Sequence, residues 1–270
     1  MKRYIAVLFS MFAATAGFAG PKISKPKILV ILSASHFVST VEGNKHPTGY
    51  FLSELSGPTE ALKKSGYELV IATPGGKTPA MDVSSDNAKW FKNKAAYQEA
   101  KTFVTGLQGI NTPRNLDRIN NHDLAGFAGV FVPGGHAPIE DLSHSAAVGR
   151  ILNYFHDTHK PTGLICHGPA ALLSAIGPNG FTYKGYKMTG FTAAEEQQEE
   201  KAGHLDGHMP FYLDRALEKL GGILEVGAPW TSKAVRDREL ITGQNPMSEG
   251  DFTAAYLAAL VESRLAPMTP

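Results

Sequence analysis

The run Lys160-Pro161-Thr162-Gly163-Leu164-Ile165-Cys166-His167-Gly168-Pro169-Ala170-Ala171-Leu172-Leu173 contains the only cysteine of the chain. Thr162 to Ile165 is short, apolar and bounded by Pro161, which predicts a strand. Gly168 and Pro169 supply a tight turn and a first helical residue with preset φ, and Ala170 to Ala175 reads as the opening of a helix. Strand, turn and helix with a cysteine at the bend make the shape of a nucleophile elbow, which lifts one side chain above a parallel sheet. A helix N-terminus behind the bend offers free N–H groups and partial positive charge. That setting is expected to lower the thiol pKa. The other local reading is a small buried hydrophobe, the usual position of a free cysteine.

A second segment, Gly129-Val130-Phe131-Val132-Pro133-Gly134-Gly135-His136, is another apolar strand ending in a Gly-Gly turn. Such a turn can present backbone N–H groups where no side chain blocks approach. Beside the elbow it would complete an oxyanion hole with the N–H of His167. Gly134, Gly135, His136 and Gly168 are the expected oxyanion and substrate-binding positions.

Working outward, Ile28-Leu29-Val30-Ile31-Leu32 is a continuous apolar run, as in a strand buried on both faces. Ser35 to Thr48 is polar and reads as a loop. Phe51 to Ser65 has helical spacing and stops at Gly66, and Tyr67 to Ala72 is a second strand. Strand–helix–strand order argues for a right-handed parallel unit. Residues 81–121 break the rhythm. They hold Trp90, Phe91, Tyr97 and Phe103 without a strand pattern and read as a helical insertion, either a lid or surface packing. Ala146 to His159 reads as an amphipathic helix. Tyr186 to Thr192, Ile223 to Val226 and Glu239 to Thr242 read as short strands, and Pro210 to Leu220 and Glu249 to Leu260 as helices. The acidic run Glu195 to Glu200 is expected to be an exposed helical face, one member excepted.

The 270 residues are 43% hydrophobic with a net charge of +1, enough for one sizeable core and without a basic stripe for nucleic acid. A single cysteine excludes an internal disulfide and a cysteine-cluster zinc site. Lys2 and Arg3, the apolar run Tyr4 to Ala16 and the small residues before Gly20 have the pattern of a secretory signal peptide over residues 1–19. A single domain over 20–270, exported to a periplasmic or extracellular space and free of the membrane after cleavage, is therefore expected.

The phrases Phe131-Val132-Pro133-Gly134-Gly135-His136 and Ile165-Cys166-His167-Gly168-Pro169-Ala170-Ala171-Leu172 resemble the ThiJ/PfpI superfamily. The chain is most similar to its heat-shock-protein-31-like branch, which includes glutathione-independent glyoxalases of the glyoxalase III type. Thr48 to Glu54, Thr189 to Glu196 and Leu240 to Pro246 share in the likeness, which runs from Lys27 to about Leu260. The resemblance implies the class I glutamine amidotransferase-like fold, a flavodoxin-like three-layer α/β sandwich with a mainly parallel sheet. It implies Cys166 as nucleophile, His167 as its partner, and Glu196 as third member, with Glu195 the competitor. It also implies that Glu54 hydrogen-bonds the sulfur, where a carboxyl group would be pushed toward its protonated form.

Glutamine amidotransferases use a late His-x-Glu pair, and no histidine follows Ile223, so that activity is not expected. His204 and His208 lie four apart among glycines and Pro210, which reads as a loop with incidental histidines. Some relatives carry an extra metal site, whose ligands do not map onto Ala61 and Leu62; no metal and no cofactor are expected. The expected activity is cysteine-dependent conversion of methylglyoxal-type dicarbonyls to 2-hydroxy acids in a homodimer. The alternatives are an amide hydrolase (peptidase or deglycase) and a redox-sensing or holdase stress protein.

Overall fold

The computed structural model describes residues 25–265. The expected signal peptide lies outside them. In chain order the elements are β1 (Lys27–Ile31), β2 (Phe37–Ser39), β3 (Lys45–Pro47), α1 (Leu52–Lys64), β4 (Glu68–Thr73), α2 (Lys94–Thr105), β5 (Arg114–Asn115), α3 (Asn121–Ala125), β6 (Phe127–Val132), α4 (Ala137–Glu140) and α5 (Ala146–Asp157). They continue with β7 (Thr162–Ile165), β8 (Ile176–Gly177), β9 (Gly180–Phe181), β10 (Lys187–Met188), α6 (Ala193–Lys201), α7 (Leu213–Lys219), β11 (Ile223–Leu224), β12 (Ala234–Asp237), β13 (Leu240–Gly243) and α8 (Glu249–Leu265).

Seven strands form one sheet in the order β12-β13-β7-β6-β1-β4-β5, and only the β12–β13 pair is antiparallel. Apolar runs become central strands because successive side chains face opposite layers. Leu29 and Ile31 point into one core with Val130, Val132 and Leu164, under α5 and α7. Ile28, Val30 and Phe131 point into the other, under α1, α2 and α8. This is the expected three-layer α/β sandwich with a mainly parallel sheet. No helix among the described residues is long and apolar enough to cross a membrane.

Four local expectations are corrected. Residues 35–48 contain an antiparallel hairpin, β2–β3. Its polar groups are satisfied by a distant loop, through Val41 N–H to His208 O (2.9 Å) and Asn44 Nδ2 to Asp206 O (2.7 Å), so it needs no apolar period. The insertion contributes an edge strand, β5, whose polar Arg114 and Asn115 suit a sheet margin. The segment after the elbow is a 3₁₀ run, Gly168–Ser174, closed by bonds such as Ala170 N–H to His167 O, and not an α-helix. The strand expected over 186–192 shrinks to β10, paired with β11 outside the main sheet. Beyond it, Thr189 N–H donates to the Thr242 hydroxyl and Phe191 N–H to Cys166 O, so a ladder cannot continue. The sequence reading also missed β12.

Glycines at the centre of the sheet seat α8. Phe252 and Tyr256 stack with an interplanar angle of 12°, and Tyr256 donates its hydroxyl to Val130 O at 2.8 Å. A Cβ on Gly163 would lie 2.9 Å from Tyr256 Cδ2 and 3.1 Å from Phe252. Gly163→Ala is therefore expected to overpack this contact and cost about 1–3 kcal/mol in urea unfolding. A loss below about 0.5 kcal/mol would show that α8 yields freely and is not seated as described.

Candidate active site

Cys166 follows β7 with φ of 60°, in the left-handed region. That backbone costs a non-glycine residue on the order of 1–2 kcal/mol. It is held from both sides: Cys166 N–H donates to Gly243 O of β13, and Cys166 O accepts from Phe191 N–H, each at 2.9 Å. The bend breaks the alternation of a strand and puts the His167 ring on the same side as the thiol. Sγ lies 3.4 Å from His167 Nδ1.

The third member comes from α6. Thr192 caps this helix in a reciprocal box with Glu195, whose carboxyl accepts from the Thr192 N–H and hydroxyl. Glu195 is thereby committed, and it also accepts from Trp230 N–H, Gln244 and Asn245. Glu196 is the next residue round the helix and faces the elbow. Its Oε2 is 2.7 Å from His167 Nε2, and its Oε1 is 2.9 Å from His136 Nε2. One carboxylate thus bridges two imidazoles.

The charges follow from that bridge. Burial alone would raise the Glu196 carboxyl, but the two histidines outweigh it and hold it well below the usual range. Burial disfavours charge on His136, yet Glu196 prevails and raises it. Burial and then the neighbouring His136 push His167 down. His136 is the more basic ring and His167 the neutral one. With Nε2–H assigned toward Glu196, the Nδ1 lone pair of His167 faces the thiol as an acceptor.

Glu54 is fully buried on the first turn of α1. Its Oε2 accepts from Gly134 N–H at 3.0 Å, while Oε1 has no N–H or O–H partner. Burial pushes this carboxyl up to about 8, against the Cys166 thiol and the Gly134 N–H, which favour ionisation. The thiol itself is raised well above its ordinary value, by burial first and by Glu54 second, with only the Gly135 N–H opposing. The lowered thiol pKa expected from a helix N-terminus is thus corrected. The sulfur is desolvated beside a carboxyl group, and the element behind it is a 3₁₀ run. The resting site holds a protonated thiol next to a near-neutral acid.

The glycines serve close approach. A Cβ on Gly134 would lie 2.6 Å from both Cys166 Cβ and Glu54 Oε2, and 2.9 Å from His167 N. Gly135, at φ 89°, passes so near Gly49 O that a Cβ would come within 2.0 Å. Of the four expected oxyanion and substrate positions, Gly135 and His136 line the cavity above Cys166. The N–H of Gly134 is taken by Glu54, and that of His136 donates to the Thr48 hydroxyl at 3.2 Å. Gly168 instead packs on β6, where a Cβ would lie 2.4 Å from Val132 O. The N–H groups of Gly135 and His167 are left as the pair around the sulfur. Sequence reasoning placed His136 among the oxyanion and substrate positions but missed that its ring bonds Glu196.

The cavity measures about 340 Å³ and is walled by distant segments. Val83, Ser84, Asn87, Lys89 and Trp90 of the insertion form one side; Phe191, Glu199, His204, Leu205 and Trp230 form another. Glu199 and Glu200 are not a free solvated face: Glu199 bonds His204 at 3.0 Å, and Glu200 accepts from Met209 N–H and the Tyr212 hydroxyl. His208 pairs with Glu42 and His46 with Asp206, tying the β2–β3 hairpin to the loop before α7. Among the described residues, His136, His167 and Glu196 are the only trio whose donor atoms, all within 4.8 Å, could hold a metal ion. Their 2.7 and 2.9 Å contacts are hydrogen-bond spacings, so protons link them as they stand.

The protein/nucleic acid deglycase HchA of Pseudomonas aeruginosa is 28% identical over 256 residues, which span 92% of this chain and 85% of that protein. The Staphylococcus aureus protein of the same name is 26% identical over 236 residues, 86% of this chain and 78% of its own. Among solved structures, Rapid Encystment Protein 24 kDa of Francisella tularensis shares the fold with a TM-score of 0.73 at 23% identity, over 87% of this chain and 99% of that one. Glyoxalase III from Candida albicans does so with a TM-score of 0.70 at 24% identity, over 87% and 97%. The profile of the DJ-1/PfpI family matches residues 48–259, which take in Glu54, the Gly-Gly turn, the cysteine elbow and Glu196. The chain belongs to the DJ-1/PfpI family.

Proposed function

We propose that the protein converts methylglyoxal-type 2-oxoaldehydes to 2-hydroxy acids, using Cys166 and no redox cofactor. The observation that carries this reading is Glu54, a fully buried carboxyl poised at about 8 against the nucleophile. An isomerisation must move a proton between adjacent carbons, and a carrier works best with a pKa near the operating pH. Hydrolysis of an amide has no such requirement.

The steps balance without an external oxidant. The thiol adds to the aldehyde carbon as its proton passes to His167 Nδ1, with the Glu196 carboxylate steadying the imidazolium. The N–H groups of Gly135 and His167 face the developing oxyanion, which takes up the Glu54 proton to give a hemithioacetal and leaves Glu54 ionised. Ionised Glu54 removes the hydrogen from this carbon, and a proton is returned to the neighbouring one through an enediolate. The product is a thioester, which water cleaves to the 2-hydroxy acid and free thiol.

The names of the HchA relatives support a second reading, a deglycase using the same thiol on glycated amines. Release of amine faster than the adduct loses free dicarbonyl would favour it. With a net charge of +1, a nucleic acid would enter as a glycated substrate and not as a bound polyanion. Burial of the thiol beside a proton carrier favours turnover over redox sensing, for which an exposed, low-pKa sulfur is suited.

Cys166→Ser is expected to abolish glutathione-free lactate formation from methylglyoxal while leaving the melting temperature near wild type. Wild-type turnover in that variant would end the proposed mechanism. Glu54→Gln should lose ~10²–10⁴-fold in rate. It should also be more stable than wild type at alkaline pH. The folded pKa of Glu54 lies above its ordinary value of 4.5, so stability from this group is full below that value and lost as pH rises through about 8. Unfolding titrations should show the variant's advantage growing from pH 5 to pH 8.5, by ~4 kcal/mol at most. Equal slopes for the two proteins would mean that Glu54 is not buried as a neutral acid. We also infer export, from the leader pattern; N-terminal sequencing of protein from its host should begin near Gly20, and a cytosolic chain starting at Met1 would refute it.

A further inference from the structure

Methylglyoxal is small for the cavity it would enter. Its five non-hydrogen atoms, even at the ~30 Å³ that a water molecule claims in the liquid, would take up less than half of the space. That space is about 340 Å³ and carries the reacting groups, Cys166, His136 and His167, in its lining. The rest of the lining mixes polar groups such as Asn87, Lys89 and Glu199 with two pairs of aromatic rings. Phe51 and Trp90 meet edge to face at 5.1 Å, and Phe191 and Trp230 at 5.6 Å. Phe191 also lies over the His167 ring at 4.4 Å, so the aromatic wall is continuous with the catalytic imidazole. Both tryptophans of the chain are in this lining.

Trp230 is held there at a cost. Its backbone has φ of 59°, a left-handed conformation unfavourable for a bulky residue. Its N–H donates to Glu195 Oε1 at 2.9 Å and its indole N–H to Gln198 Oε1 at 2.8 Å. Glu195 is fully buried, and capping of α6 occupies only its other oxygen. Oε1 is anchored by Asn245 at 2.7 Å and Gln244 at 3.2 Å, and through it that network fixes the Trp230 main chain. Local strain that surrounding structure over-determines clusters at active sites and ligand clamps.

We propose that this cavity contains an aromatic subsite, formed by Trp230 and Phe191 on one side and Trp90 and Phe51 on another, which takes 2-oxoaldehydes bearing a planar apolar substituent. The inference rests on the reaction put forward above and names its substrate class. For phenylglyoxal the sulfur bonds to the aldehyde carbon, one proton moves to the adjacent carbon, and water displaces the thiol to give mandelate. The ring lies edge-on or offset against the indoles, the geometries aromatic pairs prefer.

Initial rates with methylglyoxal and phenylglyoxal, on wild type, Trp230→Ala and Trp230→Phe, test the proposal. Wild type is expected to favour phenylglyoxal by ~10-fold or more in kcat/KM, within the range that apolar pocket contacts supply. Trp230→Ala should reduce that preference by a similar factor, mainly through KM, and Trp230→Phe should restore most of it. Comparing that preference between wild type and variant cancels the difference in intrinsic reactivity of the two substrates. Independently of turnover, tryptophan fluorescence should respond to mandelate at a lower concentration than to lactate. The subsite is refuted if Trp230→Ala keeps the wild-type preference, or if mandelate binds no more tightly than lactate. Absence of turnover on both aldehydes would instead overturn the proposed reaction, with the fluorescence titration still deciding the subsite.

Discussion

The left-handed backbone at Cys166 is the constraint around which the site is arranged. A strand that continued past Ile165 would send Cys166 and His167 to opposite faces of the sheet, and no thiol–imidazole contact could form. The reversed φ puts both on one side, and it persists only because neighbouring segments hold the cysteine peptide groups. Gly243 at the end of β13 takes its N–H, and Phe191 at the approach to α6 donates to its carbonyl. Those two segments go on to place the acidic residues of α6. Phe191 leads into the helix that carries Glu196, and beyond Gly243 come Gln244 and Asn245, which anchor Glu195. The strain at the elbow and the placing of Glu196 are therefore met by the same contacts.

Proton ownership is the second theme. The site holds two carboxyl groups with opposite fates. Glu196, between two imidazoles, stays ionised despite its burial. Glu54, facing a thiol and one amide N–H, is pushed toward neutrality. This separation by environment assigns the structural anion to one residue and the mobile proton to the other. His136 takes part in that division. By sharing Glu196 it carries the favoured positive charge and leaves His167 uncharged, the state in which a ring can accept a proton from sulfur. Several costs lie here: a desolvated thiol, an under-satisfied carboxyl and a strained backbone share one end of the sheet. Stability given up at a functional site is common, and the central strands with their two apolar layers provide the margin.

Much was legible in the chain itself. The unbroken apolar runs at 28–32 and 129–132 can be buried only between two helical layers, which decides the sheet and its parallel sense. The bend Cys166-His167-Gly168-Pro169 reads locally as an elbow or as a small buried hydrophobe, and the resemblance of its motif favours the elbow. Local pattern was weakest wherever an element is satisfied by distant polar groups. The β2–β3 hairpin has no apolar period because its partners are the carbonyls of Asp206 and His208. The edge strands β5 and β12 are short and polar for a related reason, since a sheet margin faces no core.

The sequence by itself determined the layered α/β fold and the position of the thiol, because those follow from hydrophobic period and turn chemistry within a few residues; Glu54, His167 and Glu196 became candidates through the family resemblance of their motifs. Only the tertiary structure decided which of two adjacent glutamates faces the histidine, that His136 shares it, that the thiol is raised and not lowered, and that four aromatic rings from separate segments line the cavity that reaches the sulfur. Charge states and cavity walls depend on which groups remote in sequence are brought within a few ångströms and on how much water is excluded between them. Burial and proximity of that kind are properties of the packed molecule, and a linear pattern does not carry them.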